Sequence, residues 1–256
     1  KEAMMRAVKR FEPTHIFHLA SMAGVGTVIS SPADTMEINI VGSYNLMNAL
    51  IGMKCLEKIV YTSTSEVYGP IAMDAVEEGY TTQGSPYDPR WSYATSKLCV
   101  EHLLIGYQRQ YGMPVVVCRP FNIYGPRQIG EGAIHNFIAK ALAGKPLKIY
   151  GDGGQIRAWC YVSDCVDGLL ILASKGKGVY NIGNPSEACT IYSLALLVRE
   201  MIGSSSEMVF DKKLPYTDIR LRIPLIEKIR ALGFKPKINL REGLAKTIQW
   251  YKFGEC

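Results

Sequence analysis

A tyrosine and a lysine lie four residues apart in WSYATSK, the stretch at positions 91–97. A long amphipathic run follows, so the spacing predicts that Tyr93 and Lys97 share one face of a helix. A tyrosine hydroxyl has a pKa near ~10, too high for a base at neutral pH, but a neighbouring ammonium favours the phenolate. The pair can therefore accept the proton of an alcohol, and the lysine can also hold a cofactor ribose. Tyr and Lys at this spacing also occur by chance, so the spacing alone leaves a structural role open.

Hydroxyl side chains end the apolar segment that comes before this helix. The stretch KIVYTST at 58–64 predicts a buried strand, and Thr62, Ser63 and Thr64 lie at its carboxyl end. Ligands bind at the carboxyl ends of the strands in open parallel sheets. The three hydroxyls are therefore candidates for contacts to a cofactor or a substrate.

Strand-like and helix-like segments alternate from residue 14 to about 150. Buried strands are predicted at 15–20, 58–64 and 114–120, and helices at 34–52 and 92–112. Near-continuous runs of valine and isoleucine are typical of parallel strands that are covered on both faces. Right-handed crossovers then give a doubly wound sheet, so the predicted fold is α/β and Rossmann-like.

The pattern becomes irregular after residue 120, where loops with glycine and proline separate shorter elements. The predicted strands are 146–151 and 178–183, and the predicted helices are 133–144, 191–203 and 240–251. This irregular series of short strands and helices is typical of a smaller, looser α/β domain that binds a substrate. A chain of 256 residues is long enough for one large domain and such an appendage.

The composition makes several classes of protein improbable. No apolar run approaches the ~20 residues of a membrane helix, and the charged start of the chain lacks the apolar stretch of a signal peptide. The net charge of +6 is modest and no basic stripe alternates with aromatics, so nucleic-acid binding is not expected. Seven scattered cysteines show no zinc-ligand spacing, which predicts no metal site and reduced thiols in the cytoplasm.

A glycine-rich phosphate loop is not found where a dinucleotide-binding sheet usually has one. Such a sheet begins with a strand and a turn of the G-x-G-x-x-G type. The glycines in SMAGVGTVIS at 21–30 have the wrong spacing, and GDGG at 151–154 is typical of a turn. The sequence is therefore expected either to begin inside such a fold or not to have it.

Several motifs follow one another in a fixed order along the chain. They are HLAS (18–21), INIVGSYNLMNA (38–49), TSTSEVYG (62–69), YATSK (93–97), RPFNIYGPRQ (119–128), GDGGQIRAWCYVSDCVDGL (151–169) and YNIGNPS (180–186). This order resembles the extended short-chain dehydrogenases/reductases that modify nucleotide sugars, and the resemblance covers essentially the whole chain. It implies an N-terminally incomplete, NAD-binding Rossmann-like domain at 1–125 and a mainly substrate-binding domain at 126–256, with segments that return to the main sheet.

The resemblance assigns roles around an NAD cofactor. It implies that Tyr93 is the catalytic base, Lys97 its ribose-bound helper and Thr64 the hydroxyl that contacts the substrate alcohol. The implied cofactor-binding residues are Ala20, Ser21, Thr62, Ser63, Tyr93, Lys97 and Pro120, with Asn39 supporting the adjacent loop. Family members carry their glycine-rich loop in a unit that precedes these segments. Activity is therefore expected of a complete protein, and tight NAD binding by this chain alone is not expected.

Three residues are implied to hold the diphosphate of a nucleotide sugar, namely Asn122, Arg157 and Arg222. An arginine fork suits this bidentate task better than a lysine. The alternatives are a turn-capping role for Asn122 and a solvated loop charge for Arg157. Leu225 stands where the family usually has the aspartate of its R-x-P-D signature, so the cap of the following helix is in question.

The residues after Thr64 bear on the reaction that follows oxidation at sugar C4. Dehydratases of this family place Asp and Glu directly after the catalytic hydroxyl, whereas this chain has Ser65 and Glu66. The Ser-Glu pair, and an arginine three residues before the tyrosine, here Arg90, resemble the UDP-glucuronate decarboxylases. A uronic acid oxidised at C4 is a β-keto acid that loses CO2 readily, if the site orients the carboxylate and stabilises the enolate. Decarboxylation of UDP-glucuronate is therefore favoured, with Ser65 and Glu66 catalytic and Arg90 on the substrate carboxylate or on a neighbouring acid.

Other functions stay open at this point. A 4-epimerase of a UDP-hexose or UDP-uronate, a 4,6-dehydratase and a non-catalytic nucleotide-sugar binding module are the alternatives. Glu66 can instead pair with a buried arginine, and Arg90 can be a surface charge at a helix start. In this family, the helices that correspond to 34–52 and 92–112 pair across a twofold axis, so the resemblance implies a homodimer.

Overall fold

The computed structural model describes residues 1–128, 130–212, 217 and 219–254. The helices of the first half are α1 (Glu2–Phe11), α2 (Val25–Ser30), α3 (Pro32–Leu50) and α4 (Trp91–Tyr111). Its strands are β1 (His15–His18), β2 (Lys58–Thr62), β3 (Ile71–Ala72) and β4 (Val115–Pro120). A 3₁₀ turn at Ser65–Tyr68 comes shortly after β2.

The second half alternates short strands with helices. Its strands are β5 (Ile123–Tyr124), β6 (Leu147–Tyr150), β7 (Ile156–Ala158), β8 (Cys160–Tyr161), β9 (Gly178–Ile182), β10 (Ala188–Thr190), β11 (Met208–Asp211) and β12 (Leu221–Arg222). Its helices are α5 (Ala133–Leu142), α6 (Val162–Lys175), α7 (Ile191–Ile202), α8 (Glu227–Arg230) and α9 (Leu240–Phe253), with a 3₁₀ turn at Pro185–Glu187.

The main sheet is parallel, with the strand order β1-β2-β4-β9. Val115 and Val117 of β4 pack in one core with α1, α3 and α4, whereas Val116 and Cys118 pack in another with α6 and α8. Neighbouring side chains of the strand therefore enter cores on opposite faces, which is why its sequence is apolar throughout. The predicted α/β, Rossmann-like, doubly wound fold is confirmed.

Helix α4 holds Tyr93 and Lys97 rigidly against the sheet. Its buried positions recur every three or four residues, as in Ala94, Lys97 and Val100, which is the spacing of one helix face. The helix ends where Gly112 adopts a left-handed conformation, with φ 66°, that glycine tolerates without strain.

A separate core forms between α5, α7, α9 and β6, around Phe137, Leu194 and Leu244. The mixed sheet β10-β7-β12-β3 joins this part of the chain to the segment after β2. Several elements were not predicted from the sequence, among them the helix α6 and short elements such as α2 and β3, whose six and two residues are too few to show a period. The domain boundary at 125 stays a prediction.

Candidate active site

A cavity of about 350 Å³ opens beside the carboxyl ends of β2 and β4. Its walls come from the 3₁₀ turn after β2, the start of α4, the end of β4, the loop before α5, the segment that contains α2, and β12. The predicted site residues that line it are Thr64, Ser65, Glu66, Arg90, Tyr93, Pro120, Asn122 and Arg222. Most of the predicted catalytic and substrate-side residues therefore meet at one place.

Thr64 and Tyr93 are hydrogen-bonded to each other in this cavity. The Thr64 oxygen accepts the backbone N–H of Glu66 at 3.2 Å, which leaves its own O–H to donate to the Tyr93 oxygen. Burial and the nearby Glu66 carboxylate raise the pKa of Tyr93, while the Thr64 hydrogen bond and the Arg222 charge oppose the rise. The pair is thus placed to share a proton with a substrate hydroxyl.

Lys97 lies one turn further along α4 and is buried. Its Nζ is 4.8 Å from the centroid of the Tyr61 ring, a cation–π contact. Burial lowers the pKa of Lys97 to about 8, because desolvation disfavours the ammonium. The sequence predicted that Lys97 lowers the pKa of Tyr93. The structure differs, since the pKa of Tyr93 is raised and the groups that oppose the rise are Thr64 and Arg222.

Asn39 fixes the chain that leaves β1. Its Oδ1 accepts the backbone N–H of Met22 at 2.7 Å and the Ser21 hydroxyl at 3.1 Å. Its Nδ2 donates to the Met22 carbonyl at 3.1 Å and to Ser96 of α4 at 2.9 Å. Asn39 therefore acts on the loop rather than presenting a free amide, which agrees with its expected supporting role.

The remaining cofactor-side residues lie at the ends of β1 and β2. Ala20 is exposed just after β1, and the Thr62 hydroxyl donates to the His18 carbonyl at 3.1 Å. The Ser63 hydroxyl is buried and has no hydrogen-bond partner within the described ranges. A buried hydroxyl without a partner at the end of β2 fits a ligand that brings its own hydroxyl or carboxamide groups, as NAD does.

Glu66 lies between two buried arginines. Its Oε1 is 3.3 Å from Nη2 of Arg90 and 3.4 Å from Nη1 of Arg222. Arg222 also donates to the Gly69 carbonyl at 2.9 Å, and burial lowers its pKa. Two guanidinium groups thus share one carboxylate, and of these charges Glu66 has the larger effect on the pKa of Tyr93. Arg222 therefore lines the cavity beside Glu66, and its contact with a diphosphate stays a prediction.

Asn122 and Arg157 have different surroundings. Asn122 has a φ of 43° and its Nδ2 donates to the Ala158 carbonyl at 3.0 Å, so it shapes the turn while lining the cavity. Arg157 donates to the carbonyls of Ile156 at 2.9 Å and Ile219 at 2.5 Å, and it is not among the residues that line the cavity. The structure therefore does not bring Arg157 to Tyr93.

Two residues of the site were missed in the sequence. His18 is hydrogen-bonded through Nε2 to Ser43 at 2.8 Å, and burial, helped by the Lys97 charge, lowers its pKa to about 4. Glu131 reaches the cavity from the loop before α5. The HLAS motif contains His18 and was available as a signal, whereas no local spacing pointed to Glu131.

Comparisons with known proteins agree with this geometry. The model of the NAD dependent epimerase/dehydratase family matches residues 1–183. UDP-glucuronic acid decarboxylase 3 of Arabidopsis thaliana is 39% identical over 237 residues, which are 91% of this chain and 68% of the relative. dTDP-glucose 4,6-dehydratase of Haemophilus influenzae is 34% identical over 266 aligned positions, which cover 96% of this chain and 78% of the relative.

A solved structure of an enzyme also resembles this chain. UDP-glucuronic acid 4-epimerase of Bacillus cereus, in complex with UDP-glucuronic acid and NAD, superposes with a TM-score of 0.85 and 30% identity. The match covers 97% of this chain and 78% of that chain. The chain therefore belongs to the NAD dependent epimerase/dehydratase family.

Family membership confirms the predicted enzyme class and the NAD dependence. In the part of the chain that the structure describes, no helix has both the length and the apolar character for crossing a bilayer. The cytoplasmic location and the homodimer stay predictions.

Proposed function

We propose that the full-length protein oxidises a UDP-linked uronic acid at C4 and decarboxylates it, with UDP-glucuronate as the substrate. The observation that carries this proposal is the pair of buried guanidinium groups, Arg90 and Arg222, which line the cavity of Tyr93 and share one oxygen of Glu66. A cation at this position suits a substrate whose sugar bears a carboxylate close to the reacting carbon.

Tyr93 and Thr64 act on the C4 hydroxyl. Tyr93 accepts its proton as the phenolate. The Thr64 hydrogen bond and the Arg222 charge favour that form, against the burial and the Glu66 charge that raise the pKa of Tyr93. Lys97 and the Ser63 hydroxyl are the groups proposed to hold NAD, because both are buried and the Ser63 hydroxyl has no hydrogen-bond partner among the described residues. NAD supplies the hydride acceptor for this oxidation.

Loss of CO2 needs orientation and charge stabilisation more than an acid. The 4-keto sugar is a β-keto acid, and the electrons of the breaking C–C bond move into an enolate. Arg90 and Arg222 can orient the carboxylate and offset the enolate charge. Glu66 fixes both guanidinium groups through one oxygen.

The comparisons support this choice without deciding it. A relative named for UDP-glucuronic acid decarboxylation shares 39% identity, and a solved 4-epimerase was crystallised with UDP-glucuronic acid. The second candidate is therefore a UDP-uronate 4-epimerase, which needs the same carboxylate contact. A 4,6-dehydratase is disfavoured, because Ser65 cannot supply the acid that elimination of water requires.

Product analysis tests the proposal. Full-length protein with NAD and UDP-[6-¹³C]glucuronate is expected to release labelled CO2 and to form UDP-xylose or its 4-keto precursor, followed by ¹³C and ¹H NMR. Formation of UDP-galacturonate with the label retained would contradict decarboxylation and would identify the enzyme as a 4-epimerase. Binding without turnover would reduce the site to a nucleotide-sugar binding module.

A further inference from the structure

We propose that Glu131 is a positioning residue, which holds the segment 23–28 in place as one wall of the sugar cavity. The inference rests on the proposed function to the extent that the cavity of Tyr93 is the substrate site. Its geometry stands independently of the reaction.

The Glu131 carboxylate bridges two parts of the chain that are far apart in sequence. Its Oε2 accepts the backbone N–H of Gly26 at 2.5 Å, and its Oε1 accepts that of Thr27 at 3.2 Å. Both ends of this bridge lie at the cavity, because Val25 and Val28 of α2 line it and so does Glu131. Both carboxylate oxygens are thus used to fix the backbone of α2.

The segment has little else to hold it. Helix α2 has six residues and only Val28 is buried, and a helix this short is not stable by itself. Asn39 anchors the preceding residue Met22, but α2 lies beyond that anchor. Loss of the Glu131 contacts is therefore expected to loosen the wall without disturbing Tyr93 or Thr64.

Gly26 and Glu131 are matched to each other. A β-carbon built at position 26 would overlap the Glu131 carboxylate, so any other residue there displaces it. The Gly26 backbone is otherwise ordinary helix, in which alanine is favoured over glycine. The glycine is thus explained by the approach of Glu131 rather than by its own conformation.

The first experiment compares kinetic constants of full-length Glu131→Ala with the wild type, using the substrate that the product analysis identifies. We expect KM to rise about three- to tenfold and kcat to stay within about twofold, as for the loss of hydrogen bonds that position a wall. Glu131→Gln keeps one acceptor oxygen, so its KM is expected to lie between the values of the wild type and of Glu131→Ala. Glu57→Ala, an exposed glutamate at the amino end of β2, is the matched control and should match the wild type.

The second experiment tests whether Gly26 and Glu131 affect KM through the same contact. Gly26→Ala in the wild type is expected to raise KM as Glu131→Ala does. In the Glu131→Ala background the same change should add nothing, because no carboxylate remains to be displaced. Additive effects of the two substitutions on KM would contradict the proposal. A fall in the kcat of Glu131→Ala by more than about tenfold would also contradict it, because such a loss indicates a catalytic group.

Hydrogen exchange separates this inference from the proposed function, since it needs no substrate. The amides of residues 26–28 should exchange faster in Glu131→Ala than in the wild type, with α4 unchanged. Unchanged exchange would overturn the positioning role even if the enzyme is a decarboxylase. Faster exchange would support it even if the reaction is epimerisation.

Discussion

At the residue scale, Lys97 is a costly group to bury. Its ammonium meets the face of the Tyr61 ring, and burial lowers its pKa to about 8. The charge also helps to keep the neighbouring His18 neutral, because it opposes a second cation nearby. A buried ionisable side chain with a shifted pKa is typical of a functional site.

Replacement of Lys97 by methionine is expected to stabilise the fold and to impair catalysis. The pKa of Lys97 falls from 10.5 in the unfolded chain to about 8 in the fold, so the unfolded chain holds more protons between these values. The penalty is fully present below pH 8 and disappears as the pH rises towards 10.5. Urea denaturation should therefore show Lys97→Met more stable by about 2–3 kcal/mol at pH 7.

The stability difference between Lys97→Met and the wild type should shrink as the pH is raised from 8 to 10. Lys54→Met, at an exposed position, is the control and should show no such trend. A destabilised Lys97→Met protein at pH 7 would mean that the contact with Tyr61 outweighs desolvation.

At the element scale, the site depends on how α3 and α4 hold the loop after β1. Asn39 of α3 bonds both Met22 and Ser96, so one amide joins two helices and a loop. Such a network is rigid only when each of its members is satisfied.

Asn39→Ala is expected to cost about 2–3 kcal/mol of stability, because it leaves several buried polar groups unpaired. It should also weaken NAD binding by the full-length protein about tenfold, as followed by fluorescence titration. Asn48→Ala is the matched control on the same helix. Asn48 bonds Tyr107 at 3.0 Å, away from the loop, so its loss should affect stability and not NAD affinity. Equal NAD affinity in Asn39→Ala and wild type would contradict the role.

Local patterns in the sequence were sufficient for α4, β2 and the residues that they carry. Tyr93 follows from helical spacing and Thr64 from the end of a strand, and both are local features, whereas Glu66 was assigned through the family resemblance. Arg222 was assigned to a diphosphate through the family resemblance, and its contact with Glu66 depends on β12, whose two residues pair with β3 and β7. Pairing between distant, short strands leaves no periodic signal in the sequence.

At the scale of the whole molecule, α3 carries apolar side chains on its outer face. Ile38 is 55% exposed, and Val41 and Tyr44 are about as exposed. Contiguous apolar side chains of this kind mark interaction surfaces. The homodimer implied by the family resemblance would cover this face.

Sedimentation of the full-length protein is expected to give a dimer that Ile38→Glu converts to a monomer, because a charge would be buried in the interface. Leu170→Glu is the control. Leu170 of α6 is also 55% exposed but lies on the opposite side of the main sheet from α3. A monomeric wild type, or a dimer that tolerates Ile38→Glu, would exclude α3 as the interface.

Turnover by Tyr93→Phe is the most direct test of whether Tyr93 is the base. With UDP-glucuronate and NAD, kcat of the full-length variant is expected to fall by at least about a thousandfold, while the dissociation constant of UDP-glucuronate from calorimetry stays within about twofold. Tyr107→Phe, on the same helix but bonded to Asn48, should retain wild-type turnover. A Tyr93→Phe enzyme with more than about a tenth of wild-type kcat would place the base elsewhere.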